Sequence, residues 1–488
     1  MGLKGLNHMK QSVISETSKT KMLSKKVGVI VLALVVFFLL YLGLPDLFPV
    51  QARIMTAIVG LGIILWAFEP IPLGLTSFIL LLLMLIFKVA DIDVVLSGFA
   101  SPAVYLIVAG MMLAKAVHST SLMERLSYLI LKAFGRTAKG LLGSMMIILQ
   151  IQAFFIPATA VRTTLMLPVS SMILQTIGAK QGSSLQKMLM LGVAFGATMS
   201  GTAIMTAAIG NILAVDLLNR IANIKITYFD WFIYTFPFWL ILTPAIWLLL
   251  IKLYPLPEEQ QSFPNMKEDM AKKLELLGPI NNQDKRCLII LIAIVMLWLL
   301  EPFHGFHPVI PAIAGVIRLT FPGIGCANWE DVVKINYNTV LLISITLSLG
   351  YALVDTGATQ IISHYLTADW ILTAMKSPLL AMTLITIFAQ VFHKFMANVS
   401  TAVVTLMPIV ITIALHAEVN PLAIGLITAV TCLYGFMLVV ETMPNLIVHS
   451  SGMLSQRDFI KPGLYATVLT TLLSIVIAIS WWKVLGLF

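Results

Sequence analysis

Four polar interruptions in an otherwise apolar chain carry the side chains that could bind a small charged ligand. Residues 157–162 (PATAVR) and 393–401 (HKFMANVST) each combine a basic side chain with small polar residues, whereas 201–211 and 441–445 (ETMPN) each end in an asparagine. A guanidinium can donate two parallel hydrogen bonds to one carboxylate, and an ammonium supplies a compact positive charge. One cation in each of the first two stretches would therefore suit an anion that has two carboxylates.

The composition places these interruptions in a membrane. The chain has 488 residues, of which 59% are hydrophobic and 11% charged, and its mean hydropathy is +0.97. A soluble domain carries about 25% charged residues, so lipid must be the solvent for most of this surface. The uncharged run 27–44 would extend roughly 27 Å as a helix, close to the thickness of one hydrocarbon core. The sequence therefore predicts an all-α polytopic membrane protein with about 11 transmembrane helices and two re-entrant hairpins.

The charge distribution predicts the orientation of the chain. Residues 1–26 hold six lysines and one glutamate, a balance of +5 within the net charge of +9. Because an excess of lysine and arginine marks the cytoplasmic side, we expect a cytoplasmic tail before a retained first helix. This tail explains the basic charge without nucleic acid as a partner. The three cysteines are far apart in the sequence, so they predict neither a disulfide framework nor a metal cluster.

Internal matches indicate two related halves. Three pairs recur in the same order at nearly constant offset: WAFEP at 66–70 with WLLEP at 298–302 (232 residues), Pro168 with Pro408 (240) and Asn211 with Asn445 (234). Residues 115–139 hold five basic side chains and one acidic side chain, whereas the matching 351–376 holds two acidic and one basic. The two segments are thus expected on opposite sides of the membrane. This predicts an inverted repeat with the ligand site near the bilayer midplane.

The interruptions are expected to form one site. Proline and small polar residues at membrane depth unwind a helix, and the freed amides favour an anion while the freed carbonyls suit a cation. Charge at this depth is costly and usually functional, which makes candidates of the ionisable residues: Arg162, His393, Lys394 and Glu441. The alternative is that Lys394 reaches a membrane interface and His393 is a satisfied polar residue.

Short motifs carry a family resemblance over about residues 27–487. They are EPIP at 69–72, GFASP at 98–102, AGMMLA at 109–114, PATAVR at 157–162, Asn398-Val399, TMPN at 442–445 and SSG at 450–452. With these motifs the chain resembles the divalent anion:sodium symporter family, which includes bacterial dicarboxylate carriers and plastid 2-oxoglutarate/malate translocators. PATAVR aligns with P-S-N-T-A-R, the hairpin tip of the exchanger-like branch.

The resemblance implies a membrane transporter rather than an enzyme. It implies a homodimer, in the cytoplasmic membrane of a bacterium, whose mobile transport domain moves as an elevator against a fixed scaffold. The implied divisions are a cytoplasmic tail (1–26), scaffold parts (27–138 and 287–376), transport parts (139–254 and 377–488) and a solvated cytoplasmic linker of mixed charge (255–286).

The resemblance also implies the site residues. The implied substrate contacts are Ala158, Thr159, Ala160, Arg162, Asn398, Val399, Ser400, Thr401, Thr442, Pro444 and Asn445. The residues implied for a coupling cation or for charge compensation are Thr202, Thr206, Asn211, His393, Lys394 and Glu441. Sodium, if it couples transport, would lie near Thr159 and Asn398.

Departures from the family pattern change the expected coupling. Residues 158–160 are Ala-Thr-Ala where the family has Ser-Asn-Thr, so a hydroxyl and an amide oxygen that could bind sodium are missing. Arg162 and Lys394 can instead supply fixed positive charge. We therefore expect secondary transport of small di- or tricarboxylates (succinate, malate, 2-oxoglutarate or citrate class) by exchange or with weak cation coupling. The alternatives are sodium-coupled symport of a dicarboxylate or sulfate and, more remotely, an anion channel. No cofactor is expected other than a coupling Na⁺.

Overall fold

Helices make up the architecture of the described residues. The computed structural model describes residues 24–366, 368–396 and 398–488, so nearly all of the predicted tail lies outside the described residues. Within these ranges no β-strand forms, and one isolated bridge joins Thr137 to Ser262. The predicted all-α class is therefore confirmed.

The helices follow one another closely along the chain, with three short 3-10 turns between them. They are α1 (Ser24–Gly43), α2 (Val50–Phe68), α3 (Leu73–Ile86), α4 (Ile92–Ala100), α5 (Pro102–His118), α6 (Leu122–Phe134), α7 (Ala138–Ala153), α8 (Thr159–Thr176), α9 (Ser184–Met199), η1 (Met205–Ala207), α10 (Ile209–Ala222), α11 (Tyr228–Leu253), η2 (Glu258–Gln260), α12 (Met266–Leu276), α13 (Asn282–Leu299), α14 (Glu301–His304), α15 (Val309–Thr320), α16 (Trp329–Val332), α17 (Tyr337–Asp355), α18 (Ala358–Leu366), α19 (Asp369–Met375), α20 (Pro378–Lys394), α21 (Val399–His416), α22 (Pro421–Cys432), η3 (Val439–Glu441), α23 (Met443–Ser450) and α24 (Gln456–Val484).

Several helices are long and apolar enough to cross a bilayer. Seven such spans occur in the described residues, or up to eight if the bent pair α19 and α20 counts as one. The axes of that pair differ by 115° at their junction. Four more apolar helices, α3, α7, α15 and α22, have 10–17 residues. These helices confirm the polytopic membrane class, while the number of full crossings and the inverted orientation of the halves stay predictions.

The chain divides into two compact units. The first comprises Met1–Phe99 and Tyr337–Ile361, and in it α17 packs against α2 and α3. Gly98 of α4 lies directly on α17, because its N–H donates to Ser348 Oγ over 3.1 Å. A Cβ placed on Gly98 would lie 2.0 Å from the Ser344 carbonyl oxygen, so this contact requires glycine.

The second unit comprises Ala100–Asn336 and Ile362–Phe488, and it contains all four polar interruptions. Helices that the sequence assigns to the scaffold, such as α5, α13 and α15, belong to this unit together with the transport helices α7 to α11. The division into scaffold and transport parts therefore stays a prediction.

The segment 255–286 forms a packed helix where its mixed charges predict a solvated linker. Within it, α12 buries Met266 and Met270 and packs on α6. Arg125 of α6 donates hydrogen bonds to the carbonyls of Leu277 (2.7 Å) and Gly278 (2.8 Å). Two apolar side chains four residues apart are enough to give α12 a buried face despite its charges.

Candidate functional site

The first hairpin turns between α7 and α8. Helix α7 ends at Ala153 and α8 begins at Thr159, and the residues between them include Pro157. Proline lacks an amide N–H and disfavours a helical residue before it, which explains the interruption. Ala158 precedes the first turn of α8 and offers no side-chain cap. Ala158, Thr159 and Ala160 are all half-buried at this tip.

Arg162 lies one turn into α8 and is fully buried. Its Nη1 donates to the carbonyl of Ile156 over 2.5 Å, and its Nε donates to Ser200 Oγ over 3.1 Å. Its Nη2 is buried and has no hydrogen-bond partner among the described residues. A buried donor without a partner costs roughly 1–3 kcal/mol, and more when the group is charged. Arg162 therefore fastens the hairpin tip to the end of α9 and retains one donor for a further acceptor.

The first break separates α9 from α10. The chain leaves the helix after Met199 and returns to it at Ile209, with only η1 between. The Asn211 side-chain amide donates to the carbonyls of Gly201 (2.7 Å) and Ile204 (3.2 Å). These bonds hold the unwound segment in place, while Asn211 Oδ1 is buried without a partner among the described residues.

Aromatic side chains surround this break. Trp231 donates from its indole N–H to the Thr202 carbonyl over 3.1 Å. The hydroxyl of Thr202 lies 3.4 Å from that of Tyr434, and the hydroxyl of Thr206 lies 3.5 Å from that of Tyr228. Both threonines that the sequence assigned to a cation or to charge compensation are thus buried and in reach of tyrosine.

The second break has the same local design. The Asn445 side-chain amide donates to the carbonyls of Gly435 and Leu438, each over 3.1 Å. These acceptors precede the asparagine by 10 and 7 residues, as they do in the first break. Thr442 caps α23 by accepting from the Asn445 N–H over 3.4 Å, and Pro444 occupies the first turn of that helix.

The second hairpin turns between α20 and α21. Asn398 caps α21, since its Oδ1 accepts from the Ser400 N–H over 2.8 Å. Val399 is the first residue of the helix, and Ser400 and Thr401 are buried in its first turn. Thr401 Oγ1 has no partner among the described residues. The predicted tip residues therefore all lie at the start of α21.

Lys394 forms an ion pair with Glu441. The Lys394 Nζ lies 3.0 Å from Glu441 Oε1 and 3.1 Å from Oε2, and Oε2 also accepts from the Met437 N–H over 3.0 Å. The His393 Nε2 lies 3.1 Å from the Glu441 carbonyl oxygen. The Glu441 side chain is 0% exposed and that of Lys394 is 22% exposed. The ammonium thus joins the second hairpin to the second break.

Each hairpin packs on the broken segment of the other half. A Cβ placed on Gly210 of α10 would lie 3.0 Å from Val399 Cγ1 of α21. In turn α23 packs on α8 and α9, and the rings of Phe195 and Phe436 lie 4.9 Å apart. The predicted site residues therefore share one region of the second unit. Arg162 and Lys394 have separate partners there: Arg162 contacts Ile156 and Ser200, and Lys394 contacts Glu441 of η3.

The sequence alone did not identify four side chains that contact the predicted site residues or pack beside them: Ser200, Tyr228, Trp231 and Tyr434. Ser200 adjoins Gly201 and Tyr434 adjoins Gly435, so the matched glycines of the two breaks were a usable signal. Trp231 lies outside every motif, and only the folded backbone shows that its indole reaches Thr202.

Two hairpins and two broken helices, all within one apolar helical unit, define a polytopic membrane transporter. The family described as the sodium:sulfate symporter transmembrane region matches residues 21–488. The chain belongs to this family, which confirms the resemblance seen in its motifs. It is therefore a transporter rather than an enzyme.

Known relatives match over most of their length. A membrane protein of Cupriavidus necator is 23% identical over 91% of this chain and 89% of the relative. The sodium-dependent dicarboxylate transporter SdcS of Staphylococcus saprophyticus is 22% identical over 84% and 82%. The Na(+)/dicarboxylate cotransporter 3 of Rattus norvegicus is 24% identical over 90% of each.

Proposed function

We propose that this chain is a secondary transporter of small di- or tricarboxylate anions, bound at the two hairpins and two breaks. Similarity to relatives named as dicarboxylate transporters supports this anion class. The transport parts, 139–254 and 377–488, move as an elevator against the scaffold parts of a homodimer. The N-terminus faces the cytoplasm, and the host membrane is the plasma membrane of a bacterium.

The geometry of Arg162 carries the proposal. The bonds to Ile156 and Ser200 fix the plane of the guanidinium, and Nη2 is left without a protein acceptor among the described residues. Beside it α8 begins without a side-chain cap, so the amides of its first turn are open to an anion. A carboxylate bound there would accept from Nη2 and from these amides, which offsets the cost of burying the charge.

The expected coupling is exchange, or weak coupling to a cation. Ala158 and Ala160 flank Thr159 at the first tip, so two of the three side chains there have no oxygen for sodium. Arg162 and Lys394 supply positive charge to a dianion without a mobile ion, and Glu441 offsets one unit of that charge. In exchange, the carrier changes orientation only while an anion is bound, so uptake of one anion requires export of another.

Sodium-coupled symport is a second candidate, favoured by a specific observation. The Oδ1 atoms of Asn211 and Asn445 are buried acceptors without a partner among the described residues. Sodium prefers oxygen ligands, as other hard cations do, so these two amides together with Thr159 and Asn398 are the groups that would hold it. A bound Na⁺ would add one positive charge near the anion.

The test is uptake of labelled succinate into proteoliposomes, with and without internal succinate and with and without a sodium gradient. We expect uptake that requires internal dicarboxylate and that falls about 10- to 100-fold in Arg162→Gln, the loss typical of a hydrogen bond to a charged group. Arg125→Gln is the control, because Arg125 is a buried arginine that contacts Ser121, Asp284 and the carbonyls of residues 277–279, none of which is a predicted site residue.

Three other outcomes would contradict this expectation. Uptake driven by a sodium gradient without internal anion would favour symport. Full uptake by Arg162→Gln would contradict the assigned anion contact. Single-channel currents in a planar bilayer would favour an anion channel.

A further inference from the structure

The Lys394–Glu441 pair has no counterpart in the first half. Lys394 lies five residues before the start of α21, and the residue five before the start of α8 is Phe154. Glu441 is the third residue of η3, and the third residue of η1 is Ala207. Both charges of the second half are thus replaced by apolar side chains in the first.

The fold of a break does not need this ion pair. The first break reaches the same asparagine-to-carbonyl arrangement, with acceptors 10 and 7 residues before the asparagine, while carrying Phe154 and Ala207. A buried ion pair contributes little net stability compared with well-packed apolar residues. The comparison of the two breaks therefore favours a role for the pair beyond local folding.

A count of charges shows what Glu441 changes. The hairpin tips and breaks (154–162, 199–211, 393–401 and 433–445) contain two cations, Arg162 and Lys394, and one anion, Glu441, with histidine counted as neutral. Their sum is +1, and it would be +2 without Glu441. Because Glu441 is 0% exposed, water does little to screen its charge from a neighbouring anion.

We propose that Glu441 is a specificity-determining residue that restricts this site to anions with two carboxylates. This inference rests on the proposed function and deepens it. Arg162 takes one substrate carboxylate, and the partly exposed ammonium of Lys394 takes the other. A third carboxylate finds no further cation and is repelled by Glu441. If the Glu441 carboxylate and the third substrate carboxylate lie roughly 10 Å apart, at an effective dielectric constant of about 20, their repulsion lowers the affinity for the tricarboxylate on the order of tenfold.

The experiment compares two anions of similar chemistry, succinate and the tricarboxylate tricarballylate. Both compete with labelled succinate for the protein in proteoliposomes at about pH 8, where their carboxyl groups are ionised. Wild type is expected to prefer succinate. Glu441→Gln removes one negative charge at constant shape. In this variant the ratio of succinate affinity to tricarballylate affinity should fall about tenfold. Glu441→Ala gives the same net charge and must give the same shift.

The double variant Lys394→Phe/Glu441→Ala is the matched control. It introduces the side-chain types of Phe154 and Ala207, the matching residues of the first half, and leaves the net charge at +1. Its ratio of succinate to tricarballylate affinity should therefore stay within about twofold of wild type, although both affinities fall. A preference that is unchanged in both single variants would overturn the inference, and so would a double variant that shifts as far as they do. Absence of succinate binding to wild type would instead refute the proposed function.

Discussion

The two breaks predict unequal losses of stability for the same substitution, glycine to alanine. Gly201 and Gly435 are matched, since each carbonyl accepts from the asparagine ten residues later. A Cβ on Gly435 would lie 2.7 Å from Glu441 Cβ and 2.9 Å from Thr442 Cγ2, both closer than real contacts allow without movement. A Cβ on Gly201 would lie 3.1 Å from its nearest neighbour, Ala208 Cβ.

Gly435→Ala should therefore destabilise the protein by about 1–3 kcal/mol, the usual cost of overpacking. The methyl group pushes against η3 and should also weaken succinate binding, because it displaces His393 and with it Lys394, which is proposed to bind a substrate carboxylate. Gly201→Ala should cost little, because the small clash is offset by about 0.4–1 kcal/mol from a less flexible unfolded chain. Neither glycine has a positive φ, so space alone makes the difference.

The assay is thermal unfolding of the purified protein in detergent, with succinate affinity measured on the same samples. We expect a lower unfolding temperature and weaker binding for Gly435→Ala only. Equal losses in the two variants, or a greater loss in Gly201→Ala, would show that the packing around the second break is not as described.

Three further predictions concern other contacts. Arg162→Lys keeps the charge but has one nitrogen for three acceptors, namely Ile156, Ser200 and the anion, so succinate affinity should fall about tenfold while binding persists, as measured by competition. Asn445→Ala removes two hydrogen bonds that hold the second break and should lower stability by about 1–3 kcal/mol in thermal unfolding. Gly98→Ala places a methyl 2.0 Å from the Ser344 carbonyl, so the yield of folded protein in size-exclusion chromatography should collapse, whereas Gly28→Ala, with no atom within 4 Å, should behave as wild type.

Much of the helical order could be predicted from composition and local chemistry. The apolar runs set the spans, and Pro157 marked the first interruption because proline cannot continue a helix there. The offset of 234 residues between Asn211 and Asn445 marked the paired breaks, and the structure gives these asparagines the same two roles. Such local signals need no knowledge of distant contacts.

The partners of the charged residues could not be predicted in this way. Lys394 and Glu441 are 47 residues apart, and no sequence period relates them. Arg162 contacts Ser200 across 38 residues, so its orientation depends on how α8 packs on α9. The packed helix α12 was not predicted, because its charged residues outnumber its two buried methionines. Composition alone therefore predicted a solvated segment.

The most direct test of an anion site at Arg162 is ligand-induced stabilisation of purified protein. Succinate at about 100 times its dissociation constant should stabilise wild type by about 2.7 kcal/mol. In Arg125→Gln, the residue that binds the carbonyls after α12 is replaced. This variant should be less stable than wild type without succinate but should gain the same stabilisation from it. We predict that Arg162→Gln folds but gains only about 0.4–1.4 kcal/mol from the same succinate concentration, because its affinity is 10- to 100-fold lower; stabilisation equal to that of wild type would contradict the account.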